Sequence, residues 1–433
     1  MTKEKLSVCL LNDSFPPVID GVANAVLNYA RIIQEGLGST VVGVPDYPGV
    51  TDSYSFPVVR YPSFDTTKLV GYRAGYPFSP RALDALAEFA PDIIHSHCPV
   101  MSTVMARALR ERLDIPVVFT YHTKFDIDIR RAISGHLLQQ TAIRLLVDNI
   151  SACDEVWVVS RGAGENLRSL GYAGDYIVME NGVDFPRGPV SQEKCEALRQ
   201  ELALPPEVPV YLFVGRMMWY KGIRIILDAL AALRRSGQDF RMLLVGDGME
   251  RQEMEQLVKE LRLDDVCIFT GAIRDREKLR TYFSLSDLFL FPSTFDTNGI
   301  VVREAAACGT ASVLVQDSCA AEDVTEDGNA LLIEENAASL KALLERVGTN
   351  RPALRDLGQR ALEQLYLSWE DSVTRAYARY GTVLDHYRRG LSGRSIEWTD
   401  ELYNLLDDLR RNIEAARNFK ETSRRKLQER LRR

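Results

Sequence analysis

The chain has 433 residues, 46% of them hydrophobic, and a formal net charge of −7. That length exceeds one ordinary core and points to two domains plus an appendage, while ordinary glycine and proline counts exclude collagen-like and low-complexity classes. Seven scattered cysteines without a CxxC pair argue against a disulfide framework or a zinc site and fit a reducing cytoplasm. The N-terminal apolar run is too short for a signal h-region, and no run reaches the length of a membrane span. A soluble or peripheral protein is expected, cytoplasmic or on the inner face of the cell membrane. Charge is uneven: Arg410–Arg433 holds ten Lys/Arg and three Glu, a net +7, so the rest of the chain carries −14. Such a tail suits an anionic surface, and it equally suits a solvated helix.

In chain order, Leu6–Leu11 reads as a buried strand. Val22–Glu35 has helical spacing through Val22, Val26, Tyr29 and Ile33. Val41–Val44, Ile93–His95, Val117–Tyr121 and Glu155–Ser160 read as strands, with helices Arg81–Phe89 and Thr103–Arg112 between them. Alternating strands and helices predict a parallel sheet covered on both faces. Phe185–Pro209 is proline-rich without a strong apolar run and reads as a linker. The pattern then restarts. Strands Val210–Val214, Arg241–Val245, Val266–Thr270, Leu288–Phe291 and Ser312–Val315 alternate with helices Ile223–Arg235, Met249–Leu261, Arg276–Ser284 and Val302–Cys308. After Leu331 the chain becomes helical to about Arg389. Beyond Gly390–Gly393, residues Leu402, Leu406, Leu409, Ile413 and Ala416 form one helical stripe.

The fold class is therefore α/β: two Rossmann-like doubly wound domains facing across a cleft, plus a C-terminal helical extension. The expected boundaries are an acceptor domain at 1–184, a linker at 185–209, a donor domain with closing helices at 210–389, and a basic amphipathic extension at 390–433. Ligands in such sheets bind at the carboxyl ends of the strands, so the site should be built from loops after strands.

Those loops carry the candidate chemistry. Gly21 stands just before a helix and lets backbone amides approach an anion, or simply serves helix entry. No GxGxxG occurs, which lowers the odds of a nicotinamide enzyme. Gly215-Arg216 and Lys221-Gly222 place an Arg and a Lys beside a helix start, a pattern suited to a diphosphate. Asp296 and Glu304 stand eight positions apart around an Asn298-Gly299 turn. Acidic groups there suit sugar or ribose hydroxyls, and amides of Thr297–Ile300 can hold further oxygens. The bland alternative is a capping Asp and a solvated Glu. His122 ends a strand and can orient a hydroxyl or shift protons, with His95 and His97 similarly placed. Asp126-Ile-Asp128 is a DxD that chance produces often, and no metal site is assigned.

The set Gly215-Arg216, Lys221-Gly222, Val245–Gly248, Phe269–Gly271, Asp287–Ser293, Glu304–Gly309 and Asn181–Asp184 resembles the retaining glycosyltransferases of the GT-B fold. That large family holds sucrose-phosphate synthases and bacterial mannosyl- and glucosyltransferases, and the resemblance runs from about Leu6 to Tyr380. It looks nearest to diacylglycerol glucosyltransferases and lipid mannosyltransferases. The resemblance implies that Arg216 and Lys221 hold the donor diphosphate, with Gly21 against it and Gly246 a further donor-binding position. Glu304 would hold the ribose, and Gly271–Arg274 would cover the base. Asp296, where the family usually has Glu, would meet the transferred sugar together with the Asn298, Gly299 and Ile300 amides. His122 would lie near the reacting carbon.

The resulting expectation is a metal-independent retaining hexosyltransferase. It needs no cofactor beyond a nucleotide-sugar co-substrate, with UDP-hexose favoured. The leaving phosphate would take the acceptor's proton, a covalent intermediate on Asp296 being the lesser route. The stretch Tyr121–Ile133, with Arg130 and Arg131 beside Ile127, Ile129 and Ile133, resembles lipid-modifying members. With Arg144 and the basic tail it suggests a membrane glycolipid or diacylglycerol acceptor at an anionic surface. The alternatives are a soluble sugar or glycan acceptor and a non-catalytic nucleotide-sugar-binding protein. No nucleic-acid partner is expected, and the C-terminal helix offers a route to oligomers.

Overall fold

A computed structural model describes residues 5–18, 20–67, 73–133, 135–297, 299–347 and 350–392. Backbone contacts divide the chain into two compact units. One comprises Met1–Val158, Gly164–Ile177 and Thr374–Arg433; the other comprises Val159–Ala163 and Val178–Val373.

The first unit carries strands β1 (Ser7–Leu11), β2 (Ser39–Pro45), β3 (Val58–Tyr61), a small ribbon of β4 (Ser63–Phe64) and β5 (Ala74–Gly75), then β6 (Ile93–Ser96), β7 (Val117–Tyr121), β8 (Glu155–Val158) and β9 (Ile177–Val178). Its main sheet runs β3-β2-β1-β6-β7-β8-β9 among the described residues, with parallel pairing from β3 to β8. Val8, Leu10, Ile93, Ile94, Val117 and Phe119 are fully buried. Central strands of a sheet covered on both faces need such continuous apolar runs. Helices α1 (Gly21–Ile32), α2 (Pro80–Glu88), α3 (Met101–Leu113), α4 (Phe125–Ala132), α5 (His136–Ser151) and α6 (Arg161–Ser169) follow in chain order.

The second unit carries α7 (Gln192–Glu201), β10 (Val210–Val214), α8 (Ile223–Arg235), β11 (Arg241–Val245), α9 (Arg251–Glu260), β12 (Cys267–Gly271), α10 (Arg276–Leu285), β13 (Leu288–Phe291), α11 (Ile300–Ala307), β14 (Ser312–Val315), β15 (Leu331–Ile333), α12 (Ala337–Val347) and α13 (Arg351–Leu365). Its sheet runs β12-β11-β10-β13-β14-β15 and every pair is parallel. The order reverses at β10/β13, the position where open α/β sheets leave room for ligands beyond the strand ends. The last described helix, α14 (Trp369–Arg388), passes from the second unit into the first at Thr374.

Two features differ from expectation. The segment 185–209 is no free linker. Phe185, Leu198 and Leu204 join the second unit's core, and Lys194–Glu277 (2.7 Å) and Lys278–Glu201 (3.0 Å) tie α7 to α10. Prolines ended the sequence pattern there, but three spaced apolar side chains suffice to anchor a short helix. The first unit also recruits the end of α14 across the whole chain length. Tyr377 Oη accepts from Leu6 N at 2.6 Å, and Tyr380 is fully buried. Of the amphipathic extension, only Gly390–Ser392 falls within the described residues, so the Leu402–Ala416 stripe lies outside them.

Candidate functional site

At the carboxyl edge of the first sheet, three histidines form a buried stack. His95 ends in β6, His97 follows it, and His122 follows β7. The His95 and His97 ring centroids lie 4.0 Å apart, and those of His97 and His122 lie 5.2 Å apart. His95 is held at both nitrogens, Nδ1 with Tyr380 Oη at 2.6 Å and Nε2 with Thr120 Oγ1 at 2.7 Å. His97 Nδ1 shares a hydrogen with His122 Nε2 at 2.9 Å. Burial disfavours the charged imidazolium in all three. It pushes His95 and His97 well below the ordinary histidine range, and His122 down to about 3. His122 is thus a neutral hydrogen-bonding group at neutral pH.

Gly21 begins α1, and the space where its Cβ would stand is open. The first-turn amides of Val22 and Ala23 donate to Asp20 Oδ1 at 2.9 and 2.7 Å. A carboxylate already occupies this helix start, a capping role worth about 1 kcal/mol. Asp13, which the sequence did not single out, caps α3 in the same way through Met101 N, Ser102 N and Ser102 Oγ. Asp126 accepts from Asn166 and lies 3.8 Å from Arg130. No group of three potential metal ligands occurs among the described residues.

The second unit's edge is ionic. Lys221 is buried, and its Nζ meets Asp296 Oδ1 at 2.5 Å. Asp296 Oδ2 accepts from Ser293 Oγ at 2.6 Å. Around the ammonium stand the rings of Tyr220, Phe291 and Phe295, 5.7 to 6.0 Å from Nζ. Arg216 is exposed and lies 5.9 Å from the Tyr220 ring. Among the described residues it has no ion pair. Backbone constraints fix this geometry. Gly222 has φ +76, and a Cβ there would stand 2.1 Å from Pro292 O. Gly246 has φ +140, and its Cβ would stand 1.9 Å from Gly215 O. Only glycine lets these strand-end loops pack backbone on backbone.

Glu304 on α11 is buried, and Arg276 on α10 donates to its Oε1 at 2.6 Å. Burial raises the Glu304 carboxyl, and Arg276 partly offsets it. Arg276 also lies over the Phe185 ring at 4.3 Å. It escaped sequence reading because 28 positions separate it from its partner. Gly299 takes φ +56 at the start of α11, with Ile300 as the first helical residue, and Asn298 lies outside the described residues. Ser160 Oγ donates to Thr297 O, which pins this loop. Arg274 is exposed between β12 and α10. Lys221, Asp296 and the Arg216–Tyr220 pair therefore gather at one point, while Glu304 with Arg276 forms a second centre on the same unit.

Residues 19–187 match the Glycosyltransferase Family 4 model, and residues 195–364 match Glycosyl transferases group 1. The alpha-monoglucosyldiacylglycerol synthase of Streptococcus pneumoniae is 23% identical over 70% of this chain and 70% of its own length. The GDP-mannose-dependent alpha-mannosyltransferase of Corynebacterium glutamicum is 28% identical over 76% of this chain and 77% of its own. The structure of Anabaena Alr3699/HepE in complex with UDP superposes with a TM-score of 0.68 at 18% identity, covering 88% of this chain and 100% of that one. Between them the two family models take in nearly all of both sheets, and the chain belongs to the group 1 glycosyltransferases of GT-B fold.

Proposed function

We propose that this glycosyltransferase moves a hexose from UDP-hexose to a membrane lipid acceptor with retention of anomeric configuration. The observation that carries the donor half is the Lys221 ammonium, buried at the start of α8, with the exposed Arg216 guanidinium beside the same Tyr220 ring. Departure of a nucleoside diphosphate develops negative charge, and preorganised cations in a low-dielectric site stabilise it. The two side chains supply this charge, so the reading needs no metal. Glu304, set back on α11, suits the ribose hydroxyls. The uracil-nucleotide preference draws support from the UDP bound by the Anabaena protein; the GDP-mannose use of the Corynebacterium protein makes guanosine donors the competitor to test.

Retention draws support from Asp296. Both of its oxygens are engaged, by Lys221 and by Ser293, so the carboxylate acts as a counter-ion rather than as a nucleophile on the anomeric carbon. The acceptor hydroxyl then attacks on the face the phosphate leaves, and the phosphate oxygen takes its proton. Once Lys221 turns to the departing diphosphate, Asp296 is released for the sugar contact that the resemblance implies.

The lipid half rests on the first unit and on the relative named for diacylglycerol. Leu137, Leu138 and Leu145 on α5 are exposed, with exposed Arg144 on the adjoining arc and Arg130 on α4. Apolar and cationic side chains on one surface suit an anionic leaflet, at the inner face of the cell membrane. Among the described residues no helix is long and apolar enough to cross a membrane. The test combines product analysis with sedimentation. UDP-hexoses and GDP-mannose are offered with diacylglycerol vesicles or soluble sugars, and the anomer of the product is read by NMR. An α-linked glycolipid from an α-linked UDP-hexose is the expected outcome. Products formed only on soluble acceptors, with no pelleting on anionic vesicles, overturn the lipid half and leave the transferase standing.

A further inference from the structure

The geometry points to His97 as a positioning residue that sets the tautomer of His122, placing its single proton on Nδ1. The argument begins with the shared hydrogen between His97 Nδ1 and His122 Nε2 at 2.9 Å. Both rings are neutral, because burial holds both well below the ordinary histidine range. One ring therefore donates and the other accepts, and two arrangements exist. His97 Nε2 decides between them, since it is buried and has no hydrogen-bond partner among the described residues. If the His97 proton sat there, a buried N–H would go unmade. Orphaned buried donors are rarer than under-used acceptors, and leaving a buried donor unpaired incurs its full desolvation cost. The Tyr29 ring, T-shaped to His97 at 5.3 Å, offers at most a weak π acceptor.

The His97 proton therefore rests on Nδ1 and is donated to His122 Nε2. His122 must then carry its own proton on Nδ1. The rest of the stack holds His97 in this pose: His95 packs against it at 4.0 Å and is itself fixed by Tyr380 and Thr120. The consequence rests on the proposed transferase function, with His122 near the reacting carbon as the family resemblance implies. With Nε2 accepting from His97 and Nδ1 protonated, His122 has no nitrogen left to take a proton from the acceptor. That leaves the acceptor's proton to the departing phosphate.

The test is the nitrogen-15 spectrum of the full chain with labelled histidines, at pH 7.5, with His122 assigned by its loss in His122→Asn. The His122 Nδ1 resonance should show a directly bonded proton and Nε2 should not. A proton on Nε2 of His122 in the unsubstituted chain overturns the inference, whatever the activity. His97→Asn keeps a donor near the Nδ1 position and should retain both the tautomer and the turnover. His97→Leu removes the donor and should lower kcat about tenfold, the effect of one lost hydrogen bond, with the donor KM little changed. Equal loss of kcat in both variants, with an unmoved tautomer, also overturns it. Because the spectrum needs no turnover, a chain that transfers no sugar tests the proposed function separately from this inference.

Discussion

The carboxyl edges of the two sheets solve opposite electrostatic problems. In the first unit, three histidines, a tyrosine and a threonine share hydrogens in a buried stack that burial keeps uncharged. In the second, charges stand in pairs, buried Lys221 with half-buried Asp296 and buried Glu304 with exposed Arg276. A buried charge is tolerated only when it is matched, and Lys221 and Glu304 are each matched within the second unit. The difference teaches which partner each edge suits. Hydroxyl-bearing sugars want neutral donors and acceptors at fixed angles, whereas a diphosphate wants fixed cations.

The strongest way to break this contrast is to remove the cations. Lys221→Ala and Arg216→Ala should each lower kcat by two to three orders of magnitude, about 3–4 kcal/mol of lost charge stabilisation. Lys221→Ala also strands Asp296, so Lys221→Ala/Asp296→Asn separates a lost cation from an orphaned anion. Near-normal turnover in that double variant would end the claim that the second edge works through positive charge.

Acid titration sharpens the neutral side. His122 has a folded pKa of about 3, against about 6.5 in an unfolded chain. Between those values the unfolded chain binds the extra proton and the folded chain does not. Stability from this group is therefore full above pH 6.5 and falls as pH drops, by about 1.4 kcal/mol per pH unit. Asp13 and Glu304, raised by burial, act in the opposite direction. The informative quantity is therefore a difference. Urea midpoints of His122→Asn should fall less steeply than those of the unsubstituted chain between pH 7 and pH 5. Parallel curves would mean that His122 is not neutral in the fold.

The smallest effect concerns the Gly21 loop. Asp20→Ala should cost about 1 kcal/mol through the lost cap of α1. The same change vacates two amides at a helix start, so donor KM should not rise. A clear rise in KM would show that Asp20 serves the ligand rather than the helix.

The alternating apolar runs made both sheets legible, because a strand covered on both faces has little choice of composition. Five of the expected strands match the observed spans: Val117–Tyr121, Val210–Val214, Arg241–Val245, Leu288–Phe291 and Ser312–Val315. The edges escaped. Val58–Tyr61 is half-buried apart from Tyr61, and Leu331–Ile333 is three residues long, so neither carries a run that stands out. The ionic residues of the second edge were legible as motif positions, though their partners were not. Local spacing says nothing about a contact between positions 276 and 304, or between His95 and Tyr380 across 285 positions. The helix over 192–201 was hidden by its flanking prolines. Only Leu198 of that helix is fully buried, so the amphipathic signal is weak.

The return of α14 into the first unit bears on how the chain is made. The amide of Leu6 donates to Tyr377, and His95 Nδ1 is held by Tyr380, near the end of the described chain. During synthesis the first unit must wait, with its histidine stack unlocked, until some 370 further residues have followed Leu6. The second unit has all of its strands by Ile333 and can close earlier. The order of folding thus inverts the order of the sequence: the domain begun first is finished last. A ribosome stalled after α13 would carry a second unit with all its strands and an unfinished first unit, a state that pulse-labelling with limited proteolysis can catch.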